Sequence, residues 1–216
     1  MRRYIIDPFR PNQEVVDVAA QVLRKGGVVL HPTETVYGLA VVYDNEPALQ
    51  KVRRLKGRRA YQPFSIMIND LHWIERLTGI RDAVLLAFLR RVFPAPLTIL
   101  LPRTRSLDIA YWDQFEYLGF RLPDHPLSRA LVEGVRKPMI TTSANRSGRP
   151  APSSPGDLDP LIRDGVEVFL DGGETRFKVP STIVQISWPQ RDIKCIRPGA
   201  IDFGKIKSIF FETLEN

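Results

Sequence analysis

Lys56-Gly57-Arg58 places two cations two residues apart across a glycine. Glycine lets the backbone turn, so both head groups can converge on one anion instead of fanning out around a helix. Lysine supplies a mobile point charge and arginine a bidentate fork, a combination suited to phosphate and above all to a polyphosphate tail. Arg53, Arg54 and Arg59 surround the pair, and a solvated basic helix end accounts for the same letters.

Two groups of polar residues follow apolar, strand-like runs. Val28-Val29-Leu30 stops at His31-Pro32, and Pro32 cannot donate to a sheet ladder, so Thr33, Glu34 and Thr35 are expected just past a strand's carboxyl end. Ligands commonly bind there in open α/β sheets; the alternative is that a threonine caps a short helix starting at Val36. Thr141, Thr142, Ser143 and Asn145 follow Pro138-Met139-Ile140 in the same way, and their hydroxyls and amide could orient ribose, phosphate or an amino acid, or serve turns and caps. Arg121 and Arg197 each close an apolar run and need an anionic partner, from a ligand or from an internal salt bridge.

Several common motifs are missing. The chain has no Gly-x-x-x-x-Gly-Lys-Ser/Thr, Gly-x-Gly-x-x-Gly, Gly-x-Ser-x-Gly or His-Glu-x-x-His, which weakens ordinary NTPase, dinucleotide, hydrolase and zincin readings. Cys195 is the only cysteine and the three histidines are dispersed, so neither an internal disulfide nor a zinc-like cluster is expected.

The elements that must position these groups alternate. Asn12 is an expected N-cap for a helix through Lys25, followed by Gly26-Gly27; Glu46 to Leu55 has apolar residues at one-face spacing and delivers Lys56 at its end. Further helices are expected at Asp70–Leu77, Asp82–Phe93, Pro126–Val135, near Leu158–Ile162 and near Phe203–Phe211. Further strands are expected at Phe64–Ile68, Leu97–Leu101, Tyr117–Leu122, Pro138–Thr142, Val166–Leu170, Thr182–Ile186 and Ile193–Arg197. The Ser/Pro-rich stretch from Ser143 to Pro155 is a long loop, and compact domains keep such loops for use. The pattern predicts one α/β domain over residues 1–216, with a twisted, open, mixed sheet and flanking helices.

With 216 residues, 44% of them hydrophobic, the chain can bury a sizeable core. The letters show neither a signal-peptide pattern nor an apolar run of membrane length, so a soluble cytoplasmic protein without a membrane partner is expected. A net charge of +7 favours polyanionic partners, nucleotide or RNA.

Taken together, Pro32-Thr33-Glu34-Thr35-Val36-Tyr37-Gly38-Leu39, Lys56-Gly57-Arg58, Phe93-Pro94-Ala95-Pro96-Leu97-Thr98, Phe120-Arg121-Leu122-Pro123, Ser143-Ala144-Asn145 with Ser147-Gly148, Pro180-Ser181-Thr182 and Arg197-Pro198-Gly199 resemble the YrdC/YciO family, in the family's order, from about Val15 to Gly199. The resemblance implies a YrdC/RibB-like fold around a concave, positively charged cavity. It also implies threonylcarbamoyl-AMP synthase activity, a nucleotidyl transfer in which L-threonine, bicarbonate or CO2 and ATP, with Mg2+, give threonylcarbamoyl-adenylate and pyrophosphate for the t6A modification of tRNA, completed by a downstream transferase machinery. Carried over by residue, it places Thr35, Arg121, Thr141 and Ser181 around L-threonine. Around ATP it places Lys56, Arg58, Tyr117, Ser143, Asn145, Ala151 and Arg197, with Lys56 and Arg58 catalytic, Tyr117 and Ala151 acting through their backbone, and no metal-ligating residue.

The chain departs from the synthase pattern. Arg59 replaces a proline, Gln62-Pro63-Phe64 replaces Asn-Pro-Leu, and Met67 stands where some relatives carry a histidine, features closer to the YciO branch. The extra C-terminal domain of longer relatives is not expected. The alternatives are a double-stranded RNA or ribosome-binding module, for which no stacking platform is visible, and a carbamoyl-adenylate enzyme like the related domain of hydrogenase maturation factors.

Overall fold

The computed structural model describes residues 1–57, 63–188 and 190–215. Its strands are β1 (Arg2–Ile5), β2 (Val29–His31), β3 (Gly38–Val42), β4 (Ser65–Met67), β5 (Leu97–Pro102), β6 (Tyr117–Arg121), β7 (Met139–Ser143), β8 (Val168–Asp171), β9 (Thr182–Ser187) and β10 (Asp192–Arg197). The α-helices are α1 (Gln13–Arg24), α2 (Glu46–Leu55), α3 (His72–Thr78), α4 (Ala83–Val92), α5 (Ala110–Asp113), α6 (Pro126–Val135), α7 (Pro160–Asp164) and α8 (Phe203–Glu215). The strands form one sheet in the order β1-β8-β2-β3-β7-β4-β6-β5-β9-β10. Pairing is mixed: β1–β8, β8–β2, β4–β6 and β5–β9 run parallel, the other neighbours antiparallel. The α/β expectation with a mixed, helix-flanked sheet is met.

Local chemistry fixes the helices that matter. Asn12 Oδ1 accepts from Val15 N–H at 3.3 Å to start α1, and Asn45 Oδ1 accepts from Ala48 N–H at 3.0 Å to start α2. The first buries Val16, Ala19, Ala20 and Leu23, the second Ala48, Leu49 and Val52, each set at helical spacing. Lys56 is the C-cap of α2, and Gly57 follows it with φ +59°, so the chain turns away where the cation has been delivered.

The structure differs from the expectations above in five places. Thr33 or Thr35 does not cap a helix at Val36: Thr33 Oγ1 accepts from the backbone N–H of Thr35 and Val36, at 3.2 and 3.3 Å, and this tight turn feeds β3, a strand buried on both faces. The sheet therefore resumes at Gly38 after Pro32 interrupts it. The exposed edge strand β1 was not expected, nor was the turn of helix α5 in the polar loop after β5. The short helix lies at Pro160–Asp164, started by Asp159 accepting from Leu161 N–H at 2.9 Å, and the last helix runs on to Glu215.

The two faces of the sheet are covered unequally. Leu30, Leu39, Val41, Ile66, Ile99, Phe120, Ile140 and Val184 pack on one face against side chains of α2, α3, α4, α5 and α8, forming the larger apolar core. On the other face, the register pairs Gly38 with Ser143, Ala40 with Thr141, Ser65 with both Thr141 and Gly119, and Met67 with Met139 and Arg121, so all of these share a side. At one end of that side Val29, Ala40, Val42, Met67 and Met139 lie beneath α1 and α6 in a second core. Towards the other end the residues become Gly38, Ser143, Thr141, Ser65 and Gly119, and no helix packs on them among the described residues. The polar floor so exposed is where the cavity forms. No helix among the described residues is long and apolar enough to cross a membrane.

Candidate active site

A cavity of about 550 Å³ lies over this floor, within the range typical of small-molecule sites. Thr35, Lys56, Arg121, Thr141, Ser143, Asn145, Ser181 and Arg197 all line it, so residues scattered over more than 160 positions of sequence meet in one place. Tyr117 and Ala151 are not part of the lining; Tyr117 starts β6 two residues before Gly119, and Ala151 lies in the loop after β7. Arg58 falls outside the described residues, as do Arg59 and Gln62.

At one end, Lys56 Nζ donates to the carbonyl of Ser143, to the carbonyl of Asn145 at 2.8 Å and to Asn145 Oδ1 at 3.3 Å, although Lys56 is only 4% exposed. Ser143 Oγ donates to the same Oδ1, and Asn145 Nδ2 donates to the carbonyls of Arg146 and Arg149. Ser147 N–H donates to the Lys56 carbonyl at 2.9 Å. The end of α2 and the loop after β7 are thereby fastened together, with the ammonium buried among oxygens.

At the other end, Arg121 closes β6 and Arg197 closes β10. Arg197 Nη2 donates to the Ser181 carbonyl at 2.7 Å, and Ser181 Oγ is 3.0 Å from Thr98 Oγ1. Burial, and then the nearby Arg121 charge, pull the Arg197 pKa down, the sign of two guanidinium groups sharing a partly dry site that an anion would relieve. Arg121 Nη2 donates to Thr35 Oγ1 at 2.7 Å and lies 2.8 Å from Glu34 Oε1. That contact is an ion pair without hydrogen-bond alignment, since neither carboxylate oxygen of Glu34 has a hydrogen-bond partner among the described residues.

Behind Arg121 lie His31 and His125, both kept neutral. Burial lowers the His31 pKa to about 4 and the His125 pKa to about 3, and the Arg121 charge pushes both the same way. The Thr33–Tyr37 turn is held from outside: Phe177 N–H donates to the Glu34 carbonyl at 2.9 Å, Thr175 Oγ1 to the Thr35 carbonyl at 2.8 Å and Tyr37 N–H to the Pro152 carbonyl at 2.8 Å.

The internal partner of Arg121 was the alternative that sequence left open, and Glu34 is that partner. Gly38 and Ser147, motif residues that had been given no role, also line the cavity, as do Ser65 and Ile183, which had not been assigned to a site. Ser65 carried a signal, a lone hydroxyl residue within the apolar run Phe64-Ser65-Ile66-Met67; Ile183 carried none.

Fold and site define an open-sheet α/β protein whose uncovered sheet face carries a cationic, hydroxyl-lined cavity. Residues 21–199 match the family model Sua5_yciO_yrdC, described as telomere recombination, and the chain belongs to this family. It is 32% identical over 200 residues to the threonylcarbamoyl-AMP synthase of Pyrococcus abyssi, an alignment covering 91% of this chain and 57% of that protein. Over 211 residues it is 32% identical to a putative threonylcarbamoyl-AMP synthase of Methanocaldococcus jannaschii, covering 95% of this chain and 98% of the other. The crystal structure of P. abyssi Sua5 complexed with L-threonine superposes with a TM-score of 0.85 at 29% identity, covering 97% of this chain and 61% of that one. The chain thus spans about three fifths of the length of the P. abyssi protein.

Proposed function

We propose that the chain is an L-threonylcarbamoyl-adenylate synthase, consuming L-threonine, bicarbonate or CO2 and ATP, releasing pyrophosphate and acting in the cytoplasm on the route to t6A in tRNA. The observation that carries this reading is the gathering of Thr35, Arg121, Thr141 and Ser181 in a single cavity with Lys56, Ser143 and Asn145. The printed names of its relatives, and the L-threonine bound to P. abyssi Sua5, support the same assignment.

In this reading the amino acid's carboxylate pairs with Arg121, and Lys56, Arg58 and Arg197 serve the nucleotide. Thr141 and Ser181 orient the amino acid; Ser143, Asn145 and the backbone at Tyr117 and Ala151 orient the nucleotide. A carbamate oxygen attacks the α-phosphorus and pyrophosphate leaves, while the cations stabilise charge on the phosphoryl oxygens without any protein nucleophile. Mg2+ enters this reading as the ion that accompanies ATP. Incubation with the three substrates and mass analysis of the products tests the assignment: threonylcarbamoyl-AMP is expected, and ADP or carbamoyl-AMP in its place would refute it. RNA binding and the downstream transferase partner remain expectations of the family resemblance.

A further inference from the structure

The most unusual feature of the chain is Glu34, 2% exposed, with both carboxylate oxygens lacking hydrogen bonds among the described residues and its charge against Arg121. A buried carboxylate without hydrogen bonds is costly, and its retention calls for a use. Its neighbours define that use. Among the described residues, the hydrogen bonds of the Arg121 guanidinium are made by Nη2; Nε is buried without a hydrogen-bond partner, which leaves Nη1 for the cavity that Arg121 lines.

The hydroxyls beside it have fixed polarity. Thr33 Oγ1 donates to the Val36 carbonyl at 2.7 Å, so its hydrogen is committed there. In the 2.8 Å contact between Thr33 Oγ1 and Thr35 Oγ1 the donor must then be Thr35. Thr35 accepts from Arg121 and has only a lone pair left for a ligand. A ligand group at Thr35 must therefore be a donor, and Glu34 and Thr35 oxygens both lie within 2.8 Å of the same arginine nitrogen. His31 and His125 are neutral, which leaves Glu34 as the anion beside Arg121.

We propose that Glu34 is a specificity-determining residue that tunes this end of the cavity to the zwitterionic head of an α-amino acid, with the carboxylate on Arg121 Nη1 and the ammonium on Thr35 under the Glu34 charge. Glu34 does not itself line the cavity, but its charge offsets that of Arg121, so an ammonium seated at Thr35 is not left facing an uncompensated guanidinium. A des-amino carboxylate, whichever of Arg121 and Arg197 it pairs with, has no ammonium to gain from Glu34. The inference rests on the reading that this cavity takes an amino acid, and it deepens that reading by naming what selects the ammonium.

The test is calorimetric titration of the full chain with L-threonine and with 3-hydroxybutanoate, which keeps the carboxylate and hydroxyl and lacks the ammonium. The wild-type protein should prefer L-threonine by on the order of 10-fold or more, and Glu34→Gln should remove roughly that factor, through L-threonine, with ATP affinity unchanged. Glu34→Asp, which keeps the charge, should retain most of the preference. A Glu34→Gln protein that folds by circular dichroism and keeps the full preference overturns the inference. If Glu34→Gln does not fold, the near-isosteric Thr35→Val should lose the same preference, and its retention overturns the inference equally. If the wild-type chain ignores L-threonine yet prefers glycine, serine or lysine over the des-amino acid, and Glu34→Gln abolishes this, the synthase reading fails and the inference stands. If no amino acid outbinds its des-amino analogue, the inference falls.

Discussion

Lys56 Nζ is 2.8 Å from the carbonyl oxygen of Asn145 and 3.3 Å from its side-chain Oδ1, which joins the end of α2 to the loop after β7 at one buried cation. The ammonium organises the loop as well as facing the cavity. Lys56→Met keeps the apolar stem and strands these oxygens, so a stability loss of about 1–3 kcal/mol is expected in urea unfolding. Pyrophosphate release should fall on the order of 100-fold or more. A variant with full activity would remove Lys56 from the phosphate site.

Arg121→Met leaves Glu34 buried with no counter-charge. Breaking such a pair from one side destabilises by about 3–5 kcal/mol, while replacing both members with apolar residues is often close to neutral. Arg121→Met should therefore be strongly destabilised, and adding Glu34→Leu should recover most of the loss without restoring L-threonine binding. Additive losses in the double variant would show that the two side chains do not interact.

His31 and His125 are held neutral, with pKa values lowered from 6.5 to about 4 and about 3 by burial. The unfolded chain takes up protons near pH 6.5 and the folded chain does not, so stability is unaffected above neutrality and falls as the pH drops below about 6.5. Each histidine should remove about 3 kcal/mol by pH 4. Thermal unfolding across pH 4–8 reads this slope, and His125→Asn, which keeps an N-cap acceptor for α6, should flatten it. An unchanged slope would mean that His125 charges in the folded state.

Gly38 pairs with Ser143 on the cavity floor, and a Cβ there would stand 2.9 Å from Thr141 Oγ1. Gly38→Ala should push Thr141 from its position and raise the KM for the amino acid on the order of 10-fold, with a smaller effect on kcat, because binding is perturbed more than the phosphoryl chemistry. A KM unchanged for L-threonine would place the amino acid away from the floor.

Much of this arrangement was legible before the structure. Glu46–Leu55 was legible because one-face apolar spacing and a glycine stop act within a few residues, and this alone places Lys56 at a helix end. Arg121 and Arg197 were legible as strand-terminal charges. The strand at Gly38–Val42 was missed because its continuous apolar run follows polar turn residues that could also open a helix, and only pairing with β2 and β7 decides between them. Face-sharing among Thr141, Ser65 and Gly119 depends on register across three strands, a long-range property that local pattern does not encode. The Arg121–Glu34 pair joins residues far apart in sequence, so the letters offered salt bridge and ligand as equal partners.

The central claim is that one cavity brings amino acid, carbonate and nucleotide to reaction. The most direct measurement is pyrophosphate release from ATP, with L-threonine and bicarbonate each omitted in turn and L-serine as competitor. The account predicts release that requires both co-substrates and favours threonine over serine. Release that persists without threonine, or ATP binding with no pyrophosphate under any combination, would contradict it.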